Sequence, residues 1–183
     1  MSNFFVTRKQ LVISALAIAL SMVTSYLKVF EMPMGGSITL FSMMFISLIG
    51  YWYGLKVGIV TGIAYGILQL IIDPYVISIP QMLIDYPLAF GALGLSGFFT
   101  NSKHGLVKGY IVSVLGRYFF AFLSGVIFFA SYAEGSGMSG PVYSLLYNGG
   151  YLLAEAVITI ILISLPPVSK ALEQVKKISL EIE

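Results

Sequence analysis

The sequence predicts an all-α integral membrane protein in which six transmembrane helices form one domain over residues 1–183. Composition is the first reason, because 58% of the residues are hydrophobic and only 10% are charged. Soluble domains carry about 25% charged residues, so this composition excludes an ordinary soluble enzyme. Length is the second reason: a span needs about 20 apolar residues, and the chain has room for about six spans.

Six apolar stretches between polar breaks are the third reason, and the first of them covers 11–30, after the basic pair Arg8–Lys9. It is too long for the apolar region of a signal peptide, so we expect a retained helix. The other predicted spans are 38–53, 57–72, 80–100, 105–131 and 141–165. A glycine at every fourth position from Gly54 to Gly66 predicts close helix packing along the third span.

The distribution of basic residues predicts the orientation. With the N-terminus in the cytoplasm, the cytoplasmic segments contain eight lysines and arginines, whereas the outer segments contain only Lys28, as the positive-inside rule requires. The eight are Arg8, Lys9, Lys56, Lys103, Lys108, Lys170, Lys176 and Lys177. We therefore expect a multi-pass protein of the plasma membrane with both termini in the cytoplasm. The first outer connection, 28–37, is rich in glycine and suited to cover an outward-facing site.

Three ionisable residues lie inside the predicted spans: Asp85, Arg117 and Glu155. Charged groups at membrane depth are costly and are usually paired or functional. Arg117 and Glu155 fall near the middle of the fifth and sixth spans, which predicts a buried ion pair that ties these two helices together. Asp85 lies about 8 Å from the outer end of the fourth span, at 1.5 Å per residue.

The outer half of the bundle contains the ingredients of a pocket for a small, flat molecule. Ser144, Asn148, Tyr151 and Glu155 share one helical face of the sixth span by their spacing. Aromatic side chains on the fifth and sixth spans, among them Phe129, Tyr143 and Tyr147, lie at the depth of Asp85. A carboxylate and an amide would orient such a ligand while the rings stack on it, and a cation would be favoured. The alternative for the tyrosines is an aromatic belt at the membrane interface.

Other chemistries are weakly supported. The chain has no cysteine and one histidine, so we expect no metal site and no cofactor. Its net charge of +2 does not suggest a nucleic-acid partner. Gly94-Leu95-Ser96-Gly97 matches the motif of intramembrane serine proteases, which need a histidine on another helix. His104 lies in the inner loop just after the same span, so a packing role is favoured and no catalytic residue is expected. The remaining alternatives are a membrane enzyme using Ser96 and His104, and a structural membrane protein without a ligand.

Four segments together resemble a known family: GGSITL at 35–40, DYPLAF at 85–90, GVIFFASYA at 125–133 and YSLLYNG at 143–149. In this order they are similar to the thiamine-specific S component of energy-coupling factor (ECF) transporters. The resemblance implies a six-helix protein that binds its vitamin near the outer face, in the membrane of a Gram-positive-type bacterium. It also implies docking, through Ala15 and Ala19, onto a module of one transmembrane protein and two ATPase subunits.

The resemblance, with the pocket residues above, gives a set of substrate-binding residues. They are Asp85, Tyr86, Asn148, Tyr143, Phe129, Tyr147, Tyr75, Ala121, Gly36 and Ser37. Three depart from the family pattern, which has glutamate at the position of Asp85, histidine at Ala121 and tryptophan at Phe129. Thiamine is the first expectation. A pyrimidine precursor (hydroxymethylpyrimidine) or another flat, vitamin-like ligand is the alternative.

Overall fold

The structure, a computed structural model, describes residues 7–181 and is mostly helical. Helices α1 to α6 occupy the six predicted spans, and a short hairpin of β1 and β2 follows α1. The elements are α1 (Arg8–Ser25), β1 (Lys28–Glu31), β2 (Ser37–Thr39), α2 (Ser42–Tyr53), α3 (Leu55–Ile72), α4 (Ile79–Phe99), α5 (Gly105–Phe128), α6 (Gly140–Ser164) and α7 (Pro166–Glu181). Single 3₁₀ turns lie at Pro33–Gly35 and Ala130–Ala133.

Four of the described helices, α3 to α6, are long and apolar enough to cross a membrane. The other two predicted spans form helices α1 and α2, which are not both long and apolar enough to meet this description. Helix α1 begins with two basic residues, and α2 has 12 residues, about 18 Å at 1.5 Å per residue, against a hydrocarbon thickness of about 30 Å. The count of six spans and the cytoplasmic location of both termini therefore stay predictions.

The hairpin corrects the expectation of a purely α-helical chain. We expected the first span to continue to residue 30, but α1 ends at Ser25. The residues that follow form β1, which pairs antiparallel with β2 and places Phe30 opposite Ile38. The second predicted span begins at Ser42 rather than at 38 for the same reason. The turn between the strands places Gly35 at φ +93°, a conformation that favours glycine.

Helix α4 is irregular at the position of the predicted pocket residues. Residues Ile84–Leu88 form a π-helical turn that contains Pro87, and Ala92–Phe99 continue as a 3₁₀ helix. Proline has no N–H to donate to the preceding turn, so the regular α-helical hydrogen bonding is interrupted there. Such π-bulges are frequent at functional sites, and this one contains Asp85 and Tyr86.

Close packing of α3 on α4 fixes the position of this turn. A Cβ atom at Gly58, Gly62 or Gly66 would collide with the backbone of α4, so the predicted packing role is confirmed for these three glycines. A Cβ atom at Gly54 would meet no other atom within 4 Å, so the prediction is wrong for that residue, which has φ +89°. Helix α4 also packs on α2 and α5, and α5 packs on α6. Together these contacts form the walls that surround the site described below.

Helix α7 lies across the end of the bundle opposite the hairpin and was not predicted. Tyr51 Oη, near the end of α2, donates to Glu173 Oε1 at 2.7 Å. The Lys176 ammonium donates to the Thr100 carbonyl at 2.8 Å and lies 3.8 Å from the centroid of the Tyr51 ring. Lys9 of α1 donates to the carbonyl of Ile178. One helix thus connects the ends of α1, α2 and α4.

Candidate ligand-binding cavity

A cavity of about 540 Å³ lies between the hairpin and helices α3 to α6. This volume is in the range of pockets that enclose small organic ligands. The structure brings all ten predicted substrate-binding residues to its wall, and Arg117 and Glu155 are there too. Ala15 and Ala19, the predicted docking residues, lie elsewhere, on the exposed side of α1.

Asp85 is held at the cavity wall by a residue that sequence analysis missed. Gln81, one turn earlier on α4 and only 1% exposed, donates from Nε2 to Asp85 Oδ2 at 2.6 Å. The same amide nitrogen donates to the Tyr75 carbonyl at 3.0 Å, and its oxygen accepts from the Ile77 N–H at 3.1 Å. Gln81 therefore ties the α3–α4 connection to the carboxylate, and its spacing of four residues from Asp85 was the signal available in the sequence.

The predicted polar face of α6 is confirmed as one side of the cavity. Ser144, Asn148, Tyr151 and Glu155 all line it. The Asn148 amide nitrogen donates to the Ser144 carbonyl at 3.0 Å and to the Ala121 carbonyl at 3.3 Å, and its oxygen accepts from Tyr151 Oη at 2.9 Å. These bonds fix the orientation of the amide beside the cavity.

Aromatic rings surround the outer opening of the cavity. Tyr75 and Phe129 stack with ring centroids 5.9 Å apart and an interplanar angle of 29°. The hydroxyls of Tyr75 and Tyr132 are 2.6 Å apart, and this hydrogen bond raises the pKa of Tyr75 above its usual value, so the phenol stays protonated at neutral pH. On α6, Tyr143 and Tyr147 stack at 5.9 Å and 12°.

The hairpin forms the roof of the cavity and is in contact with α6. The Gly36 N–H donates to Tyr147 Oη at 2.9 Å, and the same hydroxyl donates to the Pro33 carbonyl. A Cβ atom at Gly36 would lie 2.8 Å from Tyr147 Oη and 2.9 Å from Cδ1 of Tyr151. The lack of a side chain at this position is what allows the roof to approach so closely.

The predicted ion pair between Arg117 and Glu155 is wrong. Within residues 7–181, Glu155 forms no salt bridge, because its carboxylate accepts hydrogen bonds from Thr39, Ser42 and the Met43 N–H instead. The Arg117 guanidinium lies over the Phe90 ring, 4.2 Å from its centroid, which is a cation–π contact. Both residues line the cavity from different sides.

The serine protease alternative finds no support in the geometry. Ser96 is 1% exposed, and its hydroxyl donates to the Ser47 carbonyl at 2.6 Å, so it bridges α4 and α2. His104 is exposed at the start of α5. In the described part of the chain, no hydrogen bond joins Ser96 to His104.

Fold and cavity together define a class: a small helical membrane protein with a polar and aromatic cavity of the size of a small organic molecule. A family model described as thiamine transporter protein matches residues 11–174, and the chain belongs to that family. Membership of a transporter family indicates a non-enzymatic protein.

Individual relatives agree with this assignment. The chain is 32% identical over 168 residues to the thiamine transporter ThiT of Bacillus subtilis, across 84% of this chain and 85% of that protein. It is 34% identical over 119 residues to ThiT of Lacticaseibacillus paracasei, across 56% and 59% of the two chains. A solved structure of ThiT from Listeria monocytogenes matches with a TM-score of 0.68 and 24% identity, covering 86% of this chain and 94% of that one, which supports the fold.

Proposed function

We propose that this chain is the substrate-binding S component of an ECF-type importer and that it binds thiamine in the cavity beneath the hairpin. One observation carries the proposal: ten residues predicted from sequence, on the hairpin, the α3–α4 connection, α4, α5 and α6, line one cavity.

The chemistry of the wall fits the two rings of thiamine. The exocyclic amine of the pyrimidine is a hydrogen-bond donor, and Asp85 supplies a carboxylate to accept from it. The thiazolium ring is a cation, and the rings of Phe129 and Tyr75 provide faces that attract cations. Arg117 lies over Phe90, so its positive charge does not neutralise Asp85 through an ion pair.

Transport requires partners that this chain does not contain. The sequence has no phosphate-binding loop, so ATP hydrolysis belongs to two separate ATPase subunits, which join one further transmembrane protein. The exposed pair Ala15 and Ala19 on α1 is the proposed docking surface. We place the protein in the plasma membrane of a Gram-positive-type bacterium, as six spans in a single domain with both termini in the cytoplasm. The Bacillus and Lacticaseibacillus relatives support this location.

A pyrimidine precursor of thiamine is the second candidate ligand. Ala121 and Phe129 line the cavity where the family pattern has histidine and tryptophan, so less aromatic surface is available for the thiazolium. Hydroxymethylpyrimidine would keep the interaction with Asp85 and would not need that surface.

Calorimetric titration of the purified protein separates these candidates. Thiamine should bind tightly, and Asp85→Asn should weaken it by about 30-fold or more, since losing one partner of a desolvated charged contact costs about 2 kcal/mol or more. Glu134→Gln, which removes an acidic group from an exposed loop, is the matched control and should bind thiamine as tightly as the parent protein does. Heat from hydroxymethylpyrimidine alone would favour the second candidate, and no heat from either ligand would contradict the proposal.

A further inference from the structure

We infer that Glu155 is a positioning residue that anchors the roof of the cavity by capping α2 from the neighbouring helix α6. The inference deepens the proposed function, because it assigns to one buried carboxylate the control of ligand escape. It rests on contacts between α6, the hairpin and α2 that involve no ligand.

The Glu155 carboxylate is 4% exposed and accepts four hydrogen bonds. Oε2 accepts from the Thr39 hydroxyl at 2.6 Å and from the Thr39 N–H at 3.3 Å. Oε1 accepts from the Ser42 hydroxyl at 3.2 Å and from the Met43 N–H at 3.2 Å. All four donors belong to the segment that leads from β2 into α2.

Helix α2 needs this acceptor because its own N-terminus lacks one. The N-cap residue is Phe41, which has φ +66° and no side-chain hydrogen bond to the first turn. The first N–H groups of a helix have no partner within the helix, and the helix dipole favours a negative charge beside them. Glu155 supplies both the acceptor and the charge, although it lies on a different helix.

Together with Tyr147, Glu155 holds the roof at two points on α6. Tyr147 binds the tip of the hairpin through Gly36 and Pro33, and Glu155 binds its base through Thr39. The two residues are eight positions apart, or about 12 Å along the helix. Lifting the tip breaks the hydrogen bonds to Tyr147, and moving the whole roof away from α6 also breaks those to the buried Glu155 carboxylate.

The contacts also argue that Glu155 acts through the roof rather than by binding the ligand. A carboxylate has about four acceptor positions, and a donor group lies within hydrogen-bond distance of each of them, although the Thr39 and Ser42 hydroxyls are also hydrogen-bonded to each other at 2.7 Å. A cationic ligand would have to displace one of these donors to pair with Glu155. Glu155 therefore affects the ligand by holding the hairpin over the cavity.

The first arm of the test needs no ligand. Hydrogen–deuterium exchange is measured over residues 36–43 in the parent protein, in Glu155→Gln and in the exposed control Glu181→Gln. Glutamine keeps the size but replaces one acceptor oxygen by an NH2 donor that faces N–H and O–H donors, so exchange in this segment should rise about tenfold or more. The control should leave it unchanged. Thr39→Val, which removes a donor from the roof, should act in the same direction and remains informative if Glu155→Gln does not fold. Unchanged exchange in these variants would overturn the inference.

The second arm compares dissociation rates for thiamine and for the neutral hydroxymethylpyrimidine. A loosened roof should accelerate dissociation of both ligands by a similar factor, about tenfold. A loss confined to the thiazolium-bearing ligand would mean direct charge contact and would overturn the inference. If the parent protein binds neither ligand, the proposed function fails, whereas the exchange experiment still decides the role of Glu155.

Discussion

In the proposed function, ligand recognition depends on Asp85, whose carboxylate accepts a hydrogen bond from its neighbour Gln81. We predict that Gln81→Met, which keeps the side-chain length but removes the amide, weakens thiamine binding about tenfold to hundredfold. The reason is the loss of a hydrogen bond to a charged group, which is worth about 1.5–3 kcal/mol. Calorimetry checks this value, with Gln174→Met on the exposed side of α7 as control. Equal affinities for the two variants would show that Asp85 needs no support from Gln81.

Among single residues, the sequence was most informative for some of the polar groups at membrane depth. Asp85 and Asn148 were predicted because an unpaired polar side chain in a span is costly. Gln81 was missed because it is uncharged and lies close to the predicted end of the span. The partner of Glu155 was predicted wrongly because its donors lie in β2 and at the start of α2, where the chain was expected to form only the second span, 38–53.

Among the elements, the hairpin is the one that closes the site. Gly36→Ala should push the roof away from Tyr147, because the new Cβ atom would lie 2.8 Å from its hydroxyl oxygen. We expect thiamine to dissociate about tenfold faster, a cost of about 1.4 kcal/mol in binding free energy. Gly150→Ala is the matched control, since its Cβ atom would be 3.8 Å from the nearest atoms. Dissociation rates measured after rapid dilution decide the question, and equal rates would contradict the close contact.

Helix α7 contacts the rest of the protein away from the cavity. A substitution in these contacts should therefore lower stability and leave ligand affinity unchanged. Tyr51→Phe removes the 2.7 Å hydrogen bond to Glu173 and should lower the free energy of unfolding by about 1 kcal/mol. Thiamine affinity should not change. Thermal unfolding in detergent and a parallel titration measure the two quantities. A loss of affinity without a loss of stability would show that α7 communicates with the site.

The elements also show the limits of a hydropathy pattern. It located α3, α4, α5 and α6 within a few residues, because long apolar stretches bounded by polar residues leave little choice. It missed β1 and β2, which have four and three residues, because it extended the first span into β1 and began the second span within β2. It also gave no indication of the π-turn at Ile84–Leu88, which depends on how Pro87 is accommodated within a packed helix.

For the whole molecule, composition alone indicated a membrane protein, and the resemblance of four segments led to the thiamine transporter family to which the chain belongs.

The docking proposal also concerns the whole molecule. Ala15→Trp should leave thiamine binding unchanged and reduce uptake into cells that contain the partner subunits by about tenfold or more, because a large side chain prevents close helix contact. Val157→Trp, on the exposed side of α6, is the control. Normal uptake by Ala15→Trp would remove α1 from the docking surface.

The measurement that tests the central claim most directly is an experimental structure of the protein determined in saturating thiamine. The proposed function predicts ligand density in the cavity between Asp85, Asn148 and Phe129, with the hairpin above it. An empty cavity, or thiamine bound elsewhere on the protein, would contradict the account.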